Sequence, residues 1–459
     1  MKLVVFLSLP GALALGCASV SPKPAFEDVS KLVEERGGAR LHWDQGTPAD
    51  DQVRAHIADL LRGTLTAETA VEIALVRNLG LVATYEELGI AQADLVQAGL
   101  LRNPTFGARV RFSSTAANST PTDFSIAQDF LGLFTLPLRK RVAAAELDAV
   151  KARVGGAVLA LAAQVREAVV ALQAAQAMVE VRRLVLEAQG AAAELRRRQH
   201  EAGNVSELDL VQEEAFFGQG KLDFARAETL VLDDRERLNR LLGLWGPDAA
   251  SWKVANLVPD LPDTDPALEH IESLAVERRL DLVAARSEAR ALEEAASLTG
   301  VTRLFPAVQV GVSTEHDPEG NRVTGPELSV ELPIFDQGQA RAARLRSQLR
   351  QAQARQAEMA VNIRAEVRSL RNRLLAARGV VQHYRTVLMP LRERLVKESQ
   401  LRYNAMLLGV FQLLAARREQ IDTYRDYLEG VRDYWTTRAE LERAAGGSLL
   451  PQSSQEKKP

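Results

Sequence analysis

Cysteine is nearly absent from this chain: one residue, Cys17, among 459. A single sulfur excludes a disulfide framework, a structural zinc site and an iron–sulfur centre. Charge of one sign is lacking too, since 57 Lys and Arg face 60 Asp and Glu for a net charge of −3, so no broad positive field exists for nucleic acid. Aromatics make up only 5%. The six histidines show no HExxH spacing, and no phosphate-binding GxxxxGK[ST] loop, nucleophile elbow or dinucleotide fingerprint occurs. No catalytic residue, metal site or cofactor is therefore expected, the chain is read as a non-enzyme, and any energy must come from a partner. Past the amino terminus no charge-free apolar run of about 18 residues exists, which argues against helical membrane spans.

What is present begins with a leader. Lys2 precedes an apolar run from Leu3 to Leu15, too short to span a bilayer, followed by Gly16 and Cys17. This reads as a signal peptide over residues 1–17 in which the Cys17 thiol is acylated and becomes the mature terminus. The alternative is an unmodified secretory signal with an incidental cysteine. The stretch resembles a bacterial lipobox, although Leu15 and Ala14 depart from its preferred residues, and Ala18 in second place fits outer-membrane sorting.

The rest is written twice. Arg235 to Gly243 (RERLNRLLG) recurs as Arg438 to Gly446 (RAELERAAG), 203 positions on, while Leu79-Gly80-Leu81 pairs with Leu280-Asp281-Leu282 and the Asn103-Pro104 corner with Phe305-Pro306. Constant order and spacing mark a tandem repeat. The expected organisation is a partly extended lead-in over 18–63, a first repeat over 64–246, a linker over 247–266, a second repeat over 267–447 and a disordered tail over 448–459. Each repeat has one plan: a first helix (about Ala67 to Leu100; Leu268 to Leu298), a proline corner, two strands, then two very long helices.

The strands alternate with a period of two. Phe106, Ala108, Val110 and Phe112 oppose Gly107, Arg109, Arg111 and Ser113; Phe124, Ile126 and Phe130 oppose Ser125, Ala127 and Asp129; Val308, Val310 and Val312, then Leu328, Val330 and Leu332, repeat the pattern, with Glu331 on the polar side. An ordinary sheet over a soluble core would look the same for one hairpin. Two hairpins with no other strands to pack against match membrane strands with apolar faces outward. The helices carry packing stripes: Leu147, Val150, Val154, Val158, Leu161, Val165, Val169 and Leu172 step by three, four and four, and Ile363, Val367, Leu370, Leu374, Ala377, Val381, Tyr384 and Leu388 step by four and three. Helices of roughly 60 residues reach about 90 Å. Pro390 should kink the second. Four strands cannot close a barrel, and an open edge in hydrocarbon leaves unpaired backbone groups. Two copies would fill their interior with side chains, whereas three leave a lumen.

These anchors, with LPIFD at Leu332 to Asp336, HEAGNVSELDL at His200, RYNAMLLGVFQLLAAR at Arg402 and the closing YWTTRAELERAAG at Tyr434, resemble the TolC-like outer membrane factors from about Thr66 to Gly446. The resemblance implies a mainly α fold with a small β part: four transmembrane strands per chain, a homotrimeric twelve-stranded barrel in the Gram-negative outer membrane, and antiparallel coiled-coil helices forming a periplasmic tunnel. It implies a passive exit duct of a tripartite efflux system, with a periplasmic adaptor (membrane fusion) protein, an inner-membrane pump expected to be proton-driven, and outer-membrane lipid as partners, and no nucleic acid. Protein secretion of type I through the same fold, or a non-conducting periplasmic coiled-coil scaffold, are the alternatives.

The helix tips fall at Gly203 and Asn204, with Ser206 and Asp209 able to cap the outgoing helix, and at the matching Met406 and Gln412. The family favours glycine and aspartate at the latter two, so Gln412 departs from an acidic ring that narrows the entrance and leaves Glu207 and Asp209 as tip acids, unless these merely cap. Met406, Leu407, Val410 and Phe411 form an apolar turn expected to dock the adaptor. Arg109 and Arg111 should face the barrel lumen with Asp129 and Glu331, as ion-selecting groups or as mutual salt bridges.

Overall fold

The computed structural model describes residues 20–37, 40–112, 122–255, 258–264, 268–303, 307–316 and 321–449. Cys17, the Phe305-Pro306 corner and the tail past Leu449 lie outside them. In chain order the elements are α1 (Lys23–Gly37), α2 (Pro48–Arg62), β1 (Thr64–Leu65), α3 (Ala67–Arg77), α4 (Leu79–Ala98), β2 (Thr105–Val110), β3 (Thr122–Asp129), α5 (Leu131–Glu201), α6 (Glu207–Leu242), α7 (Pro247–Ser251), β4 (Lys253–Val254), α8 (Ile271–Arg278), α9 (Leu280–Thr302), β5 (Val308–His316), β6 (Arg322–Val330), α10 (Gln339–His383), a π-helical turn (Tyr384–Leu388), α11 (Met389–Asn404) and α12 (Val410–Ala444). The chain forms two compact units, one of residues 1–29, 85–154 and 281–359, the other of 30–84, 155–280 and 360–459, so each draws on both halves of the sequence.

The first unit holds a four-stranded antiparallel sheet in the order β2-β3-β5-β6, joined across its middle by β3 and β5, which come from different halves of the chain. The second holds a two-stranded parallel ribbon in which Thr64-Leu65 pairs with Lys253-Val254. Trp252, just before that ribbon, is buried; its indole N–H donates to Asn239 Oδ1 at 2.9 Å, and the Arg235 guanidinium lies 4.1 Å from its ring centroid and donates to the Trp252 carbonyl.

Both helical stripes do what their periods require. All eight residues from Leu147 to Leu172 are buried, as are Ile363, Val367, Leu370, Leu374 and Val381. Each fully buried aliphatic side chain contributes on the order of 1.5–3 kcal/mol. By length and composition α5 also passes as a membrane-crossing helix, which the demand for a charge-free run had excluded; half of that window is buried in the protein.

Several expectations need correction. The first helix of each half is two helices: Asn78 and Arg279 take extended ψ values of 110° and 124°, and the Asn78 side chain both caps Leu81 N–H (2.9 Å) and donates to the Leu241 carbonyl (2.9 Å). The lead-in carries two helices on either side of a non-helical stretch over 40–47: Val29 and Val33 repeat at helical spacing and are both fully buried, and Thr47 with Asp50 closes a capping box on α2. α5 starts at Leu131, directly after the sheet, and contains Pro137; Arg139 reaches back to the Gly132 carbonyl at 3.1 Å. A π-helical turn falls just before Pro390, and Tyr384 and Leu388 within it are half-buried, as is Ala377 ahead of it. Ser448, assigned to the tail, donates its N–H to the Arg36 carbonyl at 2.7 Å.

Candidate functional site

The sheet separates polarity by face. Register pairs Phe106 with Ile126, Ile126 with Val312, Val312 with Pro326, and Val310 with Leu328, so these side chains share one face. That face is uncovered: Phe106 is 68% and Leu328 67% exposed, and Phe124, Ile126, Val310 and Val312 are also exposed. Phe106 and Phe124 stack at 6.2 Å. The opposite face carries Arg109 against Asp123, Asp123 against Glu315, Ser125 against Ser313, and Asp129 against Gln309. Strands β2 and β6 are the edges, each with one side of its ladder unpaired within the chain.

On the polar face the Arg111 guanidinium donates to both Asp123 oxygens (2.9 and 2.8 Å) and to Glu315 (2.6 Å). These acids, not Asp129 and Glu331, are its partners. Asp129 instead pairs with Arg102 at 3.4 Å and accepts from Gly132 N–H at 3.1 Å, because it ends its strand where the chain enters α5; Glu331 lies one residue past β6, exposed. Asp123 could have been found from the register of the first hairpin, whereas Glu315 needs the pairing of β3 with β5, a long-range register that neither half contains alone.

In the second unit the two helix tips are built alike. At the first, Gly203 sits at φ 75°, its N–H donates to the His200 carbonyl, and Asn204 N–H donates to the Gln199 carbonyl at 2.8 Å. At the second, Met406 adopts the same left-handed backbone at φ 58°, with Met406 N–H to Tyr403 and Leu407 N–H to Arg402 at 2.8 Å. Both are the helix-ending turn in which two amide groups satisfy the last carbonyls. The outgoing helices are capped alike too. Asp209 accepts from the Ser206 N–H (3.2 Å) and hydroxyl (2.7 Å), and Gln412 Oε1 accepts from Gly409 N–H at 2.8 Å. Hydrogen bonding to Ser206, above all from its side chain, holds the Asp209 carboxyl below the usual range. Glu207 contacts His200 Nε2 at 3.0 Å.

The apolar turn divides. Met406 is 94% exposed and Leu407 77%. Val410 and Phe411 are partly covered: the Arg196 guanidinium lies 3.4 Å from the Phe411 ring centroid, and Phe411 lines an open groove of about 210 Å³ with Phe216, Leu414 and Arg418. An aromatic on the first turn of α12 facing back toward α5 was not separable by spacing from one facing solvent.

No protein-family model matches the chain. It is 24% identical over 392 residues, 84% of this chain and 90% of the relative, to the cobalt-zinc-cadmium resistance protein CzcC of Cupriavidus metallidurans. Among solved structures it resembles the outer-membrane channel OprN (TM-score 0.69, 17% identity, covering 89% of this chain and 95% of that one) and the outer membrane protein VceC of Vibrio cholerae (TM-score 0.67, 17% identity, 87% and 97%). The CmeC outer membrane channel of Campylobacter jejuni is similar over 93% of both chains, with a TM-score of 0.63 and 15% identity. The chain has the fold of the TolC-like outer membrane channels, the family its paired anchors resemble.

Proposed function

We propose that the protein is the outer-membrane exit duct of a tripartite efflux system. The observation that carries this reading is the four-stranded sheet with an uncovered apolar face, a charged opposite face and two open edges. In water that apolar face is unfavourable, and in hydrocarbon the open edges are, so one copy alone suits neither solvent. Three copies joined edge to edge close twelve strands around a lumen. The polar face then lines the lumen, with Arg109, Arg111, Asp123, Asp129 and Glu315 against the solute stream. The duct is passive: a periplasmic adaptor and a proton-driven inner-membrane pump supply direction, and adaptor contact at the turns around Gly203 and Met406 opens the helix tips. Acylation of Cys17 ties the mature terminus to the membrane. Likeness to a cobalt-zinc-cadmium resistance protein makes divalent transition-metal cations the first substrates to test.

Planar-bilayer recording of the purified chain tests the duct itself. Discrete conductance steps from a trimeric species, enlarged by charge substitutions at the tips, are expected; a sealed bilayer under every tip substitution would overturn the reading. A deletion strain should lose tolerance to cobalt, zinc or cadmium salts if the substrate assignment holds.

A further inference from the structure

Both exits from the sheet carry one arrangement. After β3, Phe134 stands exposed and six residues on comes Lys140; after β6, Phe335 is 92% exposed and six residues on comes Arg341, followed by Arg344. Leu332 and Ile334 beside Phe335 are exposed as well. Lys140, Arg341 and Arg344 are exposed and make no ion pair among the described residues, and the Lys140 stem lies over the backbone at Gly99. Other cations at this end of the sheet are used: Arg102 pairs with Asp129, Arg141 with Glu294 at 3.7 Å, and Arg139 with the Gly132 carbonyl. The nearby acid Asp336 is occupied by Gly338 N–H at 2.8 Å. An exposed aromatic just past the sheet, then an unpaired cation on a long stem six residues further on, is the order of depths met from hydrocarbon to phosphate.

We propose that Lys140, Arg341 and Arg344 form a collar that binds the headgroup phosphates of anionic phospholipid in the leaflet facing the helices, with Phe134 and Phe335 at the hydrocarbon boundary. The proposal rests on reading the sheet as membrane-inserted and adds a lipid preference to it. Each basic residue near an anionic surface strengthens binding roughly fivefold, and the gain is screened by salt.

The test assembles the full chain into nanodiscs of phosphatidylcholine containing phosphatidylglycerol, extracts it in mild detergent, and measures the retained lipid by mass spectrometry. The wild-type chain should retain phosphatidylglycerol above its share of the bilayer, and K140Q/R341Q/R344Q should lower that enrichment at least about tenfold. The charge-conserving K140R/R341K/R344K should keep it, which separates charge from any folding defect. Equal retention by the wild-type and glutamine variants would overturn the collar. Co-flotation with vesicles of phosphatidylcholine alone is scored in parallel: if the wild-type chain floats with neither composition, the membrane reading fails, whereas flotation without lipid preference defeats the collar alone.

Discussion

Replacing Met406 by glycine should make the second helix tip more rigid and, in the same stroke, a poorer docking surface. Met406 holds a left-handed backbone at φ 58°, where the first tip has glycine at φ 75°. A side chain in that region costs roughly 1–2 kcal/mol through the contact between its Cβ and the following carbonyl. Packing gives little in return. At 94% exposure the side chain buries about a sixteenth of its surface, less than about 0.2 kcal/mol of the 1.5–3 that full burial is worth. Against the relief stands the greater freedom of glycine in the unfolded chain, roughly 0.5–1 kcal/mol. The balance favours Met406→Gly by about 0.5–1 kcal/mol, or about two- to fivefold in the local opening constant.

Hydrogen exchange of the full chain reads this locally, without assuming two-state unfolding of so long a protein. Amides of 401–409 should slow by about two- to fivefold in the variant, while those of 196–206, in the other tip, serve as an unchanged reference. Gly203→Met is the converse: nothing lies within 4 Å of the Cβ it would add, so only the backbone penalty acts, and exchange at the first tip should quicken by a similar factor. Faster exchange in Met406→Gly would refute the strain argument. If Met406→Gly tightened the turn and left adaptor affinity intact, Met406 would not be a docking contact.

The two caps should part company in acid. The Asp209 carboxyl is held below its normal range, so its contribution is complete above the unfolded value of about 4 and is lost as pH falls through the lower folded value. Protection from exchange at 206–210, relative to the intrinsic rate, should therefore hold steady from neutrality to about pH 5 and fall under about pH 4, with protection at the Gln412 cap, 409–413, unresponsive. Gly243→Ala places a Cβ 2.3 Å from the Arg77 carbonyl oxygen at φ 68°, and Gly446→Ala one 2.9 Å from the Arg278 carbonyl carbon at φ 84°; both should destabilise by at least about 2 kcal/mol, Gly243→Ala more, seen as lower thermal midpoints of the helical signal. Arg111→Ala leaves Asp123 and Glu315 without their shared cation, and reversal potentials across a salt gradient should shift toward cation preference if this face lines the lumen. No shift would place the trio outside the ion path.

The fold class was legible because its signals are periodic and local. An eight-residue stripe from Leu147 to Leu172 and alternation through Val308, Val310 and Val312 each declare one face whatever surrounds them. What escaped the sequence reading was non-local. That Arg111 also meets Glu315 depends on β3 and β5 pairing across almost two hundred residues, and the breaks at Asn78 and Arg279 interrupt helices with no proline to announce them. Those breaks have a common cause in space. Gly243 presses on the carbonyl of Arg77 and Gly446 on that of Arg278, so in each half the end of the last long helix meets the break in the first. The glycines closing RERLNRLLG and RAELERAAG were visible as repeat markers, yet their reason is a backbone approach that only glycine tolerates. The tips show the opposite case. Gly203 and Met406 adopt one turn, but only Gly203 is the residue that turn prefers, so at Met406 the local rule yields while the global geometry stays. A residue that strains its own backbone and is almost wholly exposed among the described residues is best explained by what it meets outside the chain.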